Sequence, residues 1–503
     1  MKEAKVVLLP LDERPCNFEF PKALYKGSEL SIVRPEELGD KKNPADLDKV
    51  ADFLVRECAD ADYAVLAMDT LLYGGLIPSR LHRCTDEEVT GRLELLKKIK
   101  KDNPALKIFA FQCIMRCPKY SSSDEEPDYY EYCGEQIHKL GAIIHKEQLG
   151  IEDEVTAAKE EILAAIPQND LKDYSDRRDF NLRQNLAVLQ LAKDKVIDFL
   201  IIPQDDSAPF GYTAMDQRKV RARINELELT EQVYVYPGAD EIELTLLSRV
   251  YNEWRCKTPK VFVRYASVRA PYVIPLYEDR ALGETLKYHL MAAGCMQCFS
   301  DADADFILAL SAPGENMQEA ATQPVEDEAY NVSRTLPEFV FAIDQYVKQN
   351  KPVTIGDNAY ANGGEAELLA MLNRKGLLFK LAGYAGWNTS SNTIGTAIAQ
   401  GVRYLYCGDD PTHREFLILR YIEDVGYCSC VRKKVTDLRL PDLNMNYFDV
   451  CEQRGVVSEI VKEELLLFAK SALDSIDGHI QIEEVYMPWR RMFEVGLNVK
   501  YID

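Results

Sequence analysis

The chain is 503 residues long, with 60 basic and 82 acidic residues and a formal net charge of −22. Hydrophobic residues make up 47% and charged residues 28%, a folded globular composition that excludes a disordered, collagen-like or membrane-spanning chain. The acidic surplus argues against a nucleic-acid partner, because phosphate backbones are met by clustered Lys and Arg.

The first apolar run, Val6–Leu9, ends in Pro10 and the acidic pair Asp12-Glu13. It reads as a strand and not as a secretory signal, which needs a longer apolar core and a small-residue cleavage site. Further strands are expected at Tyr63–Ala67, Ile108–Phe111, Phe199–Ile202, Val233–Tyr236 and Val261–Arg264, then Phe306–Leu310, Val353–Ile355 and Leu381–Tyr384. Most are continuous apolar runs, the pattern of parallel strands buried on both faces. Helix-like periodicity fills the intervals, for example Asp86–Lys101, Gln184–Lys195 and Glu241–Glu253. From about Arg403 the pattern turns helical, with Arg414–Asp424 and Ser458–Leu473. No internal repeat and no ~20-residue apolar span is evident.

Strand–helix alternation predicts a parallel sheet, open or closed. Runs beginning near Val6, Tyr63, Ile108, Phe199, Val233, Phe306, Val353 and Leu381 suffice for a (β/α)8-type α/β barrel with insertions over 1–402. A mostly helical accessory region would then occupy 403–503. The alternative cuts the chain near Pro259 into two open parallel α/β domains with a cleft.

Almost every strand runs into a polar cluster, and chemistry gathers at the carboxyl ends of parallel strands in both architectures. Asp205-Asp206 is the sharpest of these, lying between Pro203 and Pro209 after a buried strand. Two close carboxylates do not ionise equally, so one can serve as an acid near neutral pH. Asp240-Glu241 opens a helix and divides evenly between capping and site duty. Asp12 and Arg14 read as an ion pair or as a substrate clamp. Asp69 and Tyr73 precede Gly74-Gly75, Arg116 follows a strand, and Asp357-Asn358 and Trp387-Asn388 end two more. An indole at Trp387 could stack on a sugar ring or sit in the core.

What is absent narrows the chemistry further. The six histidines stand outside these clusters, and HExxH, Gly-x-Ser-x-Gly and phosphate-loop motifs do not occur. Carboxylate, amide, aromatic and arginine side chains remain, the palette of a sugar site. No cofactor is expected. The alternative is magnesium held by Asp12, Asp69 and Asp205. The thirteen cysteines form no framework, and Cys295/Cys298 has no second CxxC, so no zinc site is expected. Reduced thiols in the cytoplasm are the expectation.

The motifs PLDERPCN, DTLLYGGLIPSR, PQDDSAPFG, YPGADE, DNAYANGG and GWNTSSNTIG resemble a bacterial family catalogued as domain of unknown function 4127. That resemblance covers nearly the whole chain and carries no activity with it. The second resemblance is to the family-84 glycoside hydrolases of O-GlcNAcase type, barrels with an Asp-Asp pair after the fourth strand. Similar features here are Asp205-Asp206, Asn358, the helix Glu365-Ala-Glu-Leu-Leu-Ala and Gly386-Trp387-Asn388. That resemblance implies that Asp205 orients a substrate 2-acetamido group, Asp206 protonates the leaving oxygen and Asn358 holds sugar hydroxyls. Trp387-Asn388 departs from the family pattern in lacking the following Pro.

The expected function is therefore hydrolysis of small N-acetylhexosaminide-type carbohydrates, with no nucleic-acid or membrane partner. The alternatives are a divalent-metal-dependent hydrolase or isomerase of small polar substrates, and a sugar-binding protein without turnover. The sugar, its linkage and the oligomeric state are not readable from the chain.

Overall fold

A computed structural model describes residues 3–151 and 158–502. Two compact units make up the chain. Unit 1 comprises residues 1–13, 31–243 and 277–279; unit 2 comprises 14–30, 244–276 and 280–503.

Unit 1 is organised on a six-stranded parallel sheet. Its strands are β1 (Ala4–Leu9), β2 (Leu30–Val33), β3 (Tyr63–Ala67), β4 (Lys107–Phe111), β5 (Phe199–Gln204) and β6 (Val233–Pro237), in the order β2-β1-β3-β4-β5-β6. Every residue of β3 and β5 is buried, so both faces of the sheet are covered, as continuous apolar runs demand. Among the connecting helices, Asp86–Asp102 starts on a capping box, with the Thr85 hydroxyl and the Glu88 carboxylate each accepting the other's backbone N–H.

Unit 2 carries β7 (Lys260–Tyr265), β8 (Met296–Cys298), β9 (Phe306–Ser311), β10 (Gln318–Glu319), β11 (Val353–Asp357), β12 (Tyr360–Ala361) and β13 (Gly383–Ala385). Five of these form a parallel sheet in the order β13-β11-β9-β7-β8, while β10 and β12 pair with each other. The last strands, β14 (His479–Tyr486) and β15 (Gly496–Ile502), make an antiparallel ribbon. Residues 403–503 all lie in unit 2, and they are mostly helical up to that ribbon.

The strands expected to close a barrel are thus divided between two open sheets, and neither closes. The reason lies in pairing: β6 pairs with β5 alone and β7 with β8 and β9, so no ladder bridges the two sheets. The strand runs themselves fall where the apolar pattern puts them. The short β8, β10 and β12 and the ribbon strands β14 and β15 escape it.

Counted from its own first strand, the unit 1 sheet has the order 2-1-3-4-5-6 and the unit 2 sheet 2-1-3-4-5, the open doubly wound arrangement with a switch point between strands 1 and 3. A polar clasp recurs as well. In unit 1 the Lys5 N–H donates to Asp62 Oδ2 at 3.0 Å and the Asp62 N–H to the Lys5 carbonyl at 3.0 Å. In unit 2 the Lys260 N–H donates to Asp305 Oδ2 at 2.7 Å and the Asp305 N–H to the Lys260 carbonyl at 2.8 Å. The next residues pair in the same register, Val6 with Tyr63 and Val261 with Phe306. The segments concerned, Ala59-Asp-Ala-Asp-Tyr63 and Ala302-Asp-Ala-Asp-Phe306, are near-identical. An internal repeat therefore exists, too short to stand out in the chain alone.

Candidate functional site

The expected site residues divide between the two units. Asp12, Asp69, Tyr73, Arg116, Asp205, Asp206, Asp240 and Glu241 belong to unit 1; Arg14, Asp357, Asn358, Trp387 and Asn388 belong to unit 2.

In unit 1 the chain leaves β5 as Asp205-Asp206. Asp206 takes a left-handed backbone conformation, φ 46°, which a residue with a side chain adopts only at some cost. That turn brings both carboxylates to one guanidinium. Arg116 Nη1 lies 3.0 Å from Asp206 Oδ2 and 3.8 Å from Asp205 Oδ2. Asp205 Oδ2 also accepts from Arg80 Nη2 at 2.8 Å. Behind the arginines stand two further acids. Glu126 Oε1 accepts from Arg116 Nε at 2.7 Å and from Arg80 Nη1 at 3.3 Å. Glu125 Oε2 accepts from Arg116 Nη2 at 2.7 Å and from Arg80 Nη1 at 3.1 Å. Burial, and after it the neighbouring charge of Asp205, raises the Asp206 carboxyl to about 7. The Asp205 and Asp206 side chains keep 20% and 19% of their surface exposed, whereas Arg80 keeps 2%.

Asp69 stands at the end of β3, buried, and accepts the Cys113 N–H at 2.9 Å. Burial raises its carboxyl to about 7 as well. Asp69, Tyr73, Gln112, Arg80 and Asp205 line a pocket whose free space, about 10 Å³, admits one water-sized group. Tyr73 Oη and Gln112 Oε1, both buried, have no hydrogen-bond partner there. The Gly74-Gly75 pair closes the preceding helix, with Gly74 at φ 90° packed against Pro44, where a side chain would not fit.

The histidines are nearer than the sequence pattern suggests. His82 stacks on Tyr73 with ring centroids 4.3 Å apart, and its Nε2 lies 2.7 Å from Asn181 Oδ1. Burial lowers its pKa to about 4, so it stands neutral behind the pocket wall.

Asp12, Asp240 and Glu241 stand just past the ends of β1 and β6, and all are buried. Glu241 folds back to accept the Ala239 N–H at 3.0 Å, under Gly238 at φ 148°, where a Cβ would collide with its carboxylate. Glu243, unremarkable in the sequence, accepts the Leu11 N–H at 2.8 Å. Burial pushes its carboxyl well above the usual range, and nearby Asp240 and Asp12 push it further. Among the described residues, no group of three or more His, Cys, Asp or Glu side chains is arranged to hold a metal ion.

In unit 2 the ends of β9, β11 and β13 meet a second carboxylate–arginine cluster. Asp357 Oδ1 accepts from the Ser311 hydroxyl at 2.8 Å, and Oδ2 from the Tyr384 hydroxyl at 2.7 Å and the Glu365 N–H at 2.6 Å. Arg334 grips Glu365 with both terminal nitrogens. Asp424 accepts the Gly386 N–H at 2.8 Å and pairs with Arg420 at 3.0 Å, while Arg420 also holds Glu423. Glu423 and Asp424 belong to an eleven-residue π-helix, Tyr421–Val431, a geometry rarely longer than one turn. The expected helix Arg414–Asp424 is therefore interrupted: its α-helical part ends at Arg420.

Trp387 is a core residue. It is buried, donates its indole N–H to the Thr396 hydroxyl at 3.2 Å and meets Phe20 edge-on at 6.0 Å, which leaves no open face for a sugar. Asn388 (φ 50°) turns the chain and accepts the Asn362 N–H at 2.7 Å. Asn358 donates to the Gly356 carbonyl at 3.2 Å, and its Oδ1 is buried without a partner. Arg14 lies over the Trp489 ring, 4.6 Å from its centroid.

The molecule is thus an α/β protein of open parallel sheets with a carboxylate–arginine cluster at the strand ends of each unit. The family model described as "Protein of unknown function (DUF4127)" matches residues 6–498, and the chain belongs to that family. No curated protein matches it. Among the described residues, no helix is long and apolar enough to cross a membrane.

Proposed function

We propose that the chain is a glycoside hydrolase acting on small N-acetylhexosaminide-type substrates, with Asp206 as proton donor and Asp205 as its ionised partner. One observation carries this reading: Asp206 is raised to about 7 while it remains partly exposed at a strand end, beside a carboxylate that an arginine holds in place. A carboxylic acid still protonated near neutral pH, next to an ionised one, is the arrangement glycoside cleavage requires.

In the reaction Asp206 gives its proton to the glycosidic oxygen as the bond from C1 to that oxygen breaks. The substrate's own acetamido oxygen forms the new bond to C1, with its N–H held by Asp205. Water then opens the cyclic intermediate, returning its proton to Asp206. Such a mechanism needs neither histidine nor metal from the protein. We infer a cytoplasmic setting from the thirteen scattered cysteines of the sequence, which form no disulfide framework.

The test is turnover of aryl 2-acetamido glycosides by the wild type, Asp206→Asn and Asp205→Ala, with and without EDTA. Hydrolysis is expected to persist in EDTA and to be lost in both variants. The rate should fall as pH rises through about 7, because the proton Asp206 must donate is then gone. Unchanged turnover in both variants would remove the pair from the chemistry, and loss in EDTA would favour a metal-dependent hydrolase.

A further inference from the structure

We propose that the pocket behind Asp205 binds a primary ammonium group, so that the unit 1 site selects an amine-bearing ligand over its neutral hydroxyl counterpart. The inference concerns what this pocket holds and does not depend on glycoside cleavage.

The argument begins with hydrogen-bond valence. Tyr73 and Gln112 line the pocket and are 3% and 1% exposed, and Tyr73 Oη and Gln112 Oε1 have no partner within the protein. A buried polar atom left unpaired costs ~1–3 kcal/mol, so such atoms in a cleft mark a place where a ligand or water completes the set. Both vacant oxygens accept, and the Tyr73 hydroxyl can also donate, so a guest with several N–H donors satisfies the Gln112 oxygen and the hydroxyl together.

Charge points to the same guest. Asp69 and Asp205 face the pocket. The guanidinium donors of Arg80 and Arg116 are turned to carboxylates: Arg80 to Asp205, Glu125 and Glu126, and Arg116 to Asp206, Glu125 and Glu126. Two guanidinium charges therefore face five carboxyl groups, counting Asp69, of which Asp69 and Asp206 titrate near 7 and are only part-ionised at neutral pH. An anionic guest would add to the remaining negative charge and find the guanidinium donors already taken. A cation relieves it, and in a partly dry pocket the attraction is several times that in water.

Size completes the argument. The free space of about 10 Å³ takes one water-sized group, and an ammonium head is of that size with only N–H donors to offer. Its carbon stem would leave by the open side, past the partly exposed Asp205 and Asp206.

The experiment measures binding of ethanolamine and of ethylene glycol, its neutral counterpart, to the full-length protein by calorimetry or ligand-observed NMR. Glucosamine and glucose form a second pair. The wild type is expected to bind each amine at least tenfold tighter than its neutral partner. Tyr73→Phe is expected to keep the fold, because the hydroxyl it removes has no partner, and to weaken both amines about fivefold or more. Gln112→Leu is expected to act in the same direction. Equal affinity for amine and neutral partner would overturn the proposal. So would amine binding that Tyr73→Phe and Gln112→Leu leave unchanged, or no binding of either amine. Because no turnover is measured, the fate of Asp206 as an acid leaves these outcomes untouched.

Discussion

The two units place similar chemistry at their strand ends and use it differently. In unit 2, both oxygens of Asp357 are filled by protein donors, Arg334 grips Glu365 bidentately, and Arg420 (0% exposed) holds Glu423 and Asp424. In unit 1, Asp205 and Asp206 are one-fifth exposed, and buried acceptors beside Asp205 stand vacant. The first cluster staples strand ends to the π-helix. The second has spare valence and an opening. Paired carboxylates, arginines and an occasional vacant buried atom, Asn358 Oδ1 and Arg420 Nε in unit 2, are common to both, and it is the exposure of Asp205 and Asp206 that distinguishes a site from a scaffold.

Exchanging one charged group in each cluster tests that contrast most strongly. Asp206→Asn should lower kcat by roughly 10²–10⁴-fold, the usual worth of a positioned general acid, and leave the denaturation midpoint nearly unchanged. Arg420→Met should do the reverse. It leaves Glu423 and Asp424 buried without their cation, a change that costs about 3–5 kcal/mol of stability in urea titrations. If Arg420→Met folds as firmly as the wild type, the cluster in unit 2 is not the staple described.

A weaker effect should appear with pH. Burial is the first cause of the raised carboxyls, at about 7 for Asp69, Asp206 and Glu365, 8 for Glu423 and 6 for Asp424. In the unfolded chain such groups titrate near ~4. The native state therefore binds the extra protons, and its advantage, full below about pH 4, is lost as pH rises through 6 to 8. Urea midpoints measured at pH 5, 6, 7 and 8 should fall in that order. Midpoints that rise with pH would mean that the acids are better ionised in the folded protein than their burial indicates.

The smallest effect is a matched pair of hydroxyl deletions. Tyr384→Phe removes the donor that satisfies Asp357 and should cost ~1–3 kcal/mol. Tyr73→Phe removes a hydroxyl with no partner and should stay within about 0.5 kcal/mol of the wild type. Equal costs would erase the distinction between filled and vacant valence.

What the sequence makes legible follows from local physics. Continuous apolar runs such as Phe199–Ile202 mark strands because both faces of a parallel sheet are covered. The Asp205-Asp206 pair marks a strand end because polar residues abruptly follow such a run. Architecture was less accessible: whether β6 pairs onward to β7 depends on partners far away in the chain, and no local pattern encodes it. Arg80, Glu125 and Glu126 went unnoticed for a related reason. Arg80 sits in a one-turn helix well past its strand, and the two glutamates sit in the loop Ser-Ser-Ser-Asp-Glu-Glu-Pro, which has the composition of a solvated turn. The available clue was Arg80 closing the Gly-Gly-Leu-Ile-Pro-Ser-Arg segment, a charged residue directly after a stretch with no other. Trp387 misled because an indole beside glycine at a strand end satisfies the core and the ligand patterns equally well.

The Lys–Asp clasp has a bearing on how these sheets find their alignment. In a strand buried on one face, a one-residue slip turns apolar side chains to water and is strongly penalised. The strands β3 and β9 are buried throughout, so a slip would merely exchange one apolar neighbour for another. Hydrophobicity is nearly blind to register there. Asp62 and Asp305 are not blind to it: each carboxylate reaches one particular N–H on the neighbouring strand, and any shifted ladder leaves both groups without partners. A single acid at the mouth of each sheet thus acts as the notch by which parallel strands, 57 and 45 residues apart in the chain, are set in step.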